Sequence, residues 1–278
     1  MQFTTIAIIS ALFAAIACIL ARFLLINIKT KDILSINFLM MAGTLFIISP
    51  LFYSFTFNNT SLLLLVCIAS IDTLANYLYF KTFEKTEASI ATPLLSLAPA
   101  FTFFFGILIL QHIDTPLTYF LSAGILILIL IFSIDFKQFR EFKSQTLIPG
   151  LLSSFLFGIS AIPSKMLLDT YHATNAPTLF MYRALLIGAF ASIVFRTKIK
   201  LSAHQYISIF VRGLFVIAQW VLLYFALSQG SAGVSVTLGN ITPIFVFILS
   251  MIFLHEKPTL KKIITSILIL LLSFAITL

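Results

Sequence analysis

Charge is what this sequence has least of. Only 9% of its 278 residues are Asp, Glu, Lys or Arg, and 60% are apolar. A soluble domain carries about a quarter charged residues. With this composition its surface would itself be apolar, so a soluble globule is excluded and lipid must solvate the outer face. The two cysteines, Cys18 and Cys67, stand in apolar runs with no CxxC and no His at ligand spacing, which leaves packing rather than metal or redox chemistry. No HExxH occurs, no histidine is central to an apolar run, and Asp72 is the one acid deep in such a run, so the pairs used by intramembrane proteases are missing. Charged catalytic connectors of the kind transferases use are absent. A Walker-type loop is absent too, which excludes ATP-driven pumping, and no filter-like stretch suggests a channel. No catalytic residue, metal or cofactor is therefore expected. The first apolar run, Phe3 to Ala21, has no basic leader and no small-residue cleavage site, and reads as a retained span.

What is present is length in apolar runs. About 20 mostly apolar residues cross a bilayer as a helix. Ten spans are expected, near 3–24, 33–55, 61–80, 88–110, 116–134, 147–168, 177–195, 205–227, 231–254 and 260–277, giving an all-α membrane protein. Phe is abundant, with 31 copies, for lipid contact and core packing. No connector is long enough to form a soluble domain.

Displaced by 144 residues, the sequence matches itself without gaps. Ser10, Leu12, Phe13 and Ala17 fall on Ser154, Leu156, Phe157 and Ala161. Pro99, Phe101 and Phe103 fall on Pro243, Phe245 and Phe247, and Leu110, Thr115 and Ser122 on Leu254, Thr259 and Ser266. Apolar composition alone explains some Leu identities but not Pro and Ser in one register. Two five-helix repeats are expected, 1–134 and 147–278.

Basic residues test this independently. Apart from Lys165, Arg183 and Arg212, all of the 17 Lys and Arg lie in connectors or span ends, and all follow spans 1, 3, 5, 7 and 9. The positive-inside rule makes those connectors cytoplasmic and both termini non-cytoplasmic. The net charge of +8 therefore sets orientation, and no nucleic-acid partner is expected. An odd number of spans per repeat turns the second repeat upside down. Matching connectors then differ in charge: the one after span 2 has none, while its counterpart after span 7 carries Arg196, Lys198 and Lys200. Inverted repeats are typical of secondary transporters.

The second half adds motifs. Ala226-Leu227-Ser228-Gln229-Gly230-Ser231-Ala232-Gly233 enters a span with Thr242-Pro243-Ile244-Phe245, which ends in Leu254-His255-Glu256-Lys257-Pro258-Thr259. The first half has a weaker form, Thr86-Glu87-Ala88, Pro99-Ala100-Phe101 and Gln111-His112-Ile113-Asp114-Thr115, without the box Glu. Along its whole length the chain resembles the EamA-type branch of the drug/metabolite transporter superfamily, where a small-residue turn, a mid-span proline and a terminal box recur in each half. The resemblance implies a transporter. It also implies cytoplasmic termini, common among ten-span members, whereas the charges of this chain imply the reverse.

Charges inside spans cost a few kcal/mol or more each, and so mark candidate sites. Here they are Asp72, Lys165, Arg183 and Arg212. Arg183 lies about 9 Å and Arg212 about 10 Å inside their spans at 1.5 Å per residue. Lys165, near a span end, fits simple snorkelling equally well. Asp72, Asn76 and Tyr79 share one face of span 3. Arg212 and Gln219 share a face of span 8, flanked by Trp220. Two readings stand. These faces line one central cavity, with Asn240 beside Pro243 also in its wall, or Asp72 simply pairs with Arg212 or Arg183 to hold the bundle together. Pro93, Pro99, Pro163 and Pro243 would kink spans and free carbonyls. Glu84 and Glu87 beside Lys81 and Lys85 form a solvated cluster, and Glu256 is either a gate or a helix-end contact.

The expected substrate-binding set is thus Asp72, Asn76, Arg183, Arg212, Gln219, Trp220 and Asn240. Three basic groups against one acid favour a small anionic or zwitterionic metabolite, such as an amino acid. A cationic drug would call for an acid in the first span, which has none. Expected partners are that metabolite and the lipid bilayer of a bacterial inner membrane, and a homodimer is compatible with the sequence. A membrane-embedded enzyme and a structural partner protein are the alternatives.

Overall fold

The structure is a computed structural model that describes residues 2–85, 95–111, 114–133, 144–195, 201–254 and 260–275. Its helices are α1 (Gln2–Asn27), α2 (Thr30–Ile48), α3 (Asn59–Lys85), α4 (Ala98–Phe105), α5 (Pro116–Ser133), α6 (Ser144–Lys165), α7 (Ala176–Phe195), α8 (Ala203–Gln229), α9 (Ala232–Gly239), α10 (Thr242–Leu254) and α11 (Leu260–Ala275). No strand occurs among the described residues. An isolated antiparallel bridge joins Phe55 to Thr174. Among the described residues, seven helical segments are long and apolar enough to cross a membrane, one of them Ala232–Leu249 across α9 and α10, and three shorter apolar ones are Ala98–Leu110, Pro116–Ile129 and Ile263–Ser273. The first part of the expected fourth span, with Glu87 and Pro93, lies outside the described residues, as does Glu256.

The outward faces are apolar. Ile47, Leu63, Ile193, Val194 and Leu260 are each more than two-thirds exposed, an arrangement stable only in lipid. Since lipid and core are equally apolar, close packing rather than hydrophobic segregation holds such helices together, and small residues permit it. In α1 the residues Ala7, Ala11, Ala14, Ala15, Ala17, Cys18 and Ala21 are all buried, and α1 packs on α8, α9 and α10.

Helix ends recur at the sequence offset. Helices α3 and α8 run 59–85 and 203–229, and α4 and α10 begin at 98 and 242. Helices α5 and α11 begin at 116 and 260. Every difference is 144. The packing is interchanged by the same offset: α1 lies on α8 while α3 lies on α6, and α2 lies on its own counterpart α7.

The last carbonyls of α3 and α8 lack intrahelical donors, and a cation meets each pair of ends. Arg22 donates to the Phe83 carbonyl at 2.9 Å. Lys165 donates to the carbonyls of Leu227 at 3.0 Å and Gly230 at 2.7 Å. Phe83 and Leu227 are again 144 apart. Lys165, only 8% exposed, also pairs with Asp169 at 2.9 Å, so it is a buried helix-end clamp rather than a snorkelling side chain. The expected cluster at the end of α3 is partly present as the Lys81–Glu84 pair at 3.8 Å, with Thr30 donating to Glu84.

The prolines act differently from the expectation of kinks. Pro99 and Pro243 fall in the first turns of α4 and α10, where the missing N–H has no intrahelical partner to lose. They start helices instead of bending them. Pro163 does sit inside α6, whose end loosens into a π-helical turn, Met166–Thr170.

Gly158 marks the tightest crossing of α6 on α4. A Cβ there would lie 2.5 Å from Phe101 Cβ and 2.7 Å from the Ala98 carbonyl oxygen. Gly158→Ala must therefore separate two backbones, and we expect it to lower thermal stability in detergent by about 1–3 kcal/mol. Gly43→Ala is the control, because nothing lies within 4 Å of its added carbon. Equal melting temperatures for the two variants would contradict this crossing.

Candidate functional site

A cavity of about 120 Å³ opens among α1, α3, α6, α8 and the α9–α10 junction. Its polar wall comes from Asn76 and Tyr79 of α3, Ser160 and Ser164 of α6, Arg212, Gln219 and Tyr224 of α8, and Asn240. Its apolar wall includes Phe38, Phe157, Trp220 and Leu223. Five of the seven expected residues thus come together: Asn76, Arg212, Gln219, Trp220 and Asn240.

Asp72 and Arg183 do not line it. Asp72 accepts from Nε of Arg183, and the two side chains are 0% and 1% exposed. Arg183 also donates to the Tyr224 hydroxyl at 2.7 Å, and its Cζ lies 3.8 Å from the centroid of the Trp220 ring. The ion pair therefore stands behind the cavity wall and holds two of its aromatic residues from the rear. Of the two partners that the sequence leaves open for Asp72, the structure selects Arg183. The three share a face of α3, and depth along the helix separates them: Asn76 and Tyr79 reach the cavity, while Asp72, one turn away, meets Arg183 of α7. Asp72 Oδ1 and Arg183 Nη2 have no hydrogen-bond partner within the described structure.

Arg212 is placed differently. It is 4% exposed and donates to the Asn37 side-chain oxygen at 2.9 Å and the Ala17 carbonyl at 3.3 Å, with its Cζ 4.9 Å from the Phe80 ring centroid. These acceptors, and the Tyr79 hydroxyl that also bonds to it, are neutral. Among the described residues no carboxylate pairs with it, so a buried positive charge stands in the cavity wall without a counter-ion.

Asn240 sits at the C-terminal end of α9, where the chain breaks before α10 restarts at Thr242. Its amide donates to the Val236 carbonyl at 2.8 Å, and Thr242 reaches the Gly239 and Ala11 carbonyls. Such interrupted helices place backbone polar groups at a cavity inside the membrane. Sequence reasoning did not single out Asn37 or Tyr224. A polar Asn in an apolar span is a signal that was there to be found, and Tyr224 lies four residues after Trp220 on one face of α8.

The EamA-like transporter family model matches residues 4–139 and again 144–278, one match in each half of the chain. The chain belongs to the EamA-like transporter family. No curated protein matches it. A solved structure described only as the crystal structure of a protein superposes on 100% of this chain and 98% of its own, with a TM-score of 0.78 at 13% identity, a likeness of fold. Membership of this EamA-like family and the apolar helices together make the chain a multi-pass membrane protein.

Proposed function

We propose that this EamA-like protein is a secondary transporter of a small anionic or zwitterionic metabolite, bound at the central cavity by Arg212. One observation carries the proposal: a buried guanidinium in the cavity wall has no acidic partner among the described residues. An unpaired charge in low dielectric is costly, and a bound carboxylate or phosphate would remove that cost by charge-assisted hydrogen bonds. Asn76, Gln219 and Asn240 supply further polar contacts, and Trp220 an apolar surface. Asp72 and Arg183, from the expected set, shape the wall from behind.

Ten spans in two inverted five-helix repeats, 1–134 and 147–278, are the architecture we assign. Equal helix boundaries 144 apart and the interchange of packing partners support it. Two such halves rock about a central site to give alternating access. A catalytic step is not needed to account for any residue of the cavity.

Purified protein screened for thermal stabilisation by metabolites tests the function. Carboxylates, phosphates or amino acids should raise the melting temperature, and organic cations should not. Stabilisation by cations alone would overturn the proposal.

We place the protein in a bacterial inner membrane with both termini non-cytoplasmic, from the basic connectors. A C-terminal alkaline phosphatase fusion should then be active and a green fluorescent protein fusion dark. The opposite result would reverse the orientation and leave the repeat intact.

A further inference from the structure

We infer that the ligand of the cavity is an aromatic carboxylate without an ammonium group: one ring, one negative charge and no positive one. This rests on the cavity being the transport site and narrows its substrate class.

The charge follows from the wall. Arg212 is the single charged residue among the described lining residues, so an anion has a partner there and a cation has none. Asp72, the nearest candidate for an ammonium, is held by Arg183 outside the wall. The other lining groups offer an ammonium neutral amide and hydroxyl oxygens and the aromatic faces. Trp220 would be the best such face, but Arg183 already stands 3.8 Å from its centroid. A guanidinium on one face draws π density towards itself and weakens the other face for a second cation. An ammonium inside this cavity would be desolvated, beside the Arg212 guanidinium and without an acidic partner among the described lining residues.

The ring follows from shape. Trp220 is surrounded by Phe157, with centroids 6.0 Å apart, by Phe180, stacked at 6.4 Å, and by Tyr224 at 5.7 Å. Tyr79 extends this surface through Phe157 at 6.3 Å. Aromatic surfaces of this kind favour a flat apolar body by offset stacking and edge contacts. A cavity of about 120 Å³ is close in size to one that accepts a single benzene ring, about 150 Å³.

Trp220 is the only tryptophan in the chain, so intrinsic fluorescence reports on the cavity wall directly. Purified protein in detergent is titrated with benzoate, phenylalanine and phenethylamine, which share a ring and differ in charge, and with inorganic phosphate. Melting temperature is followed in parallel. Benzoate should change the fluorescence saturably and raise the melting temperature. Phenylalanine should bind at least tenfold more weakly, phenethylamine should have no effect, and Arg212→Gln should weaken benzoate at least tenfold. If phenylalanine binds as tightly as benzoate, or phosphate binds and benzoate does not, the aromatic-carboxylate assignment fails while the Arg212 anion site stands. If no anion moves either signal, or benzoate binds undiminished to Arg212→Gln, the site itself is overturned. Should Arg212→Gln not fold, the rank order of the four probes on the unaltered protein still decides the inference.

Discussion

Asp72→Asn is expected to lower the yield and melting temperature of the protein more than any other single change in the cavity region. Asp72 and Arg183 are both essentially inaccessible, and Asp72 is the one acid that meets this guanidinium among the described residues. Neutralising the acid strands a buried charge. Removing one partner of such a pair costs about 3–5 kcal/mol, against a total stability of about 5–15 kcal/mol for many proteins. The same change releases Arg183 from the geometry that sets it against Trp220 and the Tyr224 hydroxyl, so the cavity wall loosens too. Removing both charges, in Asp72→Asn with Arg183→Gln, should recover much of the loss, because no unpaired charge then remains and the two effects are strongly non-additive. The competing role for Asp72 is carriage of a coupling proton. In that case the single variant would fold normally, lose proton-driven transport and keep substrate exchange. Normal yield with that selective loss would rule against the structural counter-ion and in favour of the carrier.

Arg212→Gln should do the opposite to stability and more harm to function. Its guanidinium is buried among neutral acceptors, Asn37 and the Ala17 carbonyl. Deleting an uncompensated charge removes a desolvation cost, so the melting temperature should hold or rise, although the Asn37 oxygen loses its donor. Binding should fall, because a charge-assisted hydrogen bond to the ligand is worth about 1.5–3 kcal/mol, or roughly ten- to hundredfold in affinity. Sites kept for function at the expense of stability behave in this way. Loss of transport together with a retained or raised melting temperature is the result expected from uptake assays in vesicles and thermal unfolding. A large drop in melting temperature with unchanged affinity would mean that Arg212 is a structural residue and that substrate binds elsewhere. The signs predicted for Asp72 and Arg212 differ although both are buried charges. The difference comes entirely from whether an opposite charge stands beside them.

The sequence by itself determined the properties that run along one dimension. Apolar runs and the scarcity of charge fix the solvent, because no arrangement of Leu, Ile and Phe at this density is stable in water. The 144-residue offset in Pro and Ser registers reappears as equal starts for α3 and α8, α4 and α10, and α5 and α11. The cost of a charge in a span singled out Arg212, which lines one cavity together with Gln219 and Trp220. Tertiary structure alone decided the partners. Asp72 and Asn76 are one helical turn apart, yet one is buried against Arg183 and the other lines the cavity. Arg183 and Arg212 look alike in sequence, and only the packing of α3 on α7 supplies one of them with an acid. Lys165 reads as a snorkelling side chain until the end of α8 is brought to it. The physical reason is that a membrane helix is apolar on its lipid face and on its core face alike. Hydrophobic periodicity, which reveals the inner face of a soluble helix, is then nearly silent. Rotation and pairing are set instead by small residues that allow close approach, such as the alanines of α1 and Gly158 of α6, and by where another helix brings a complementary charge.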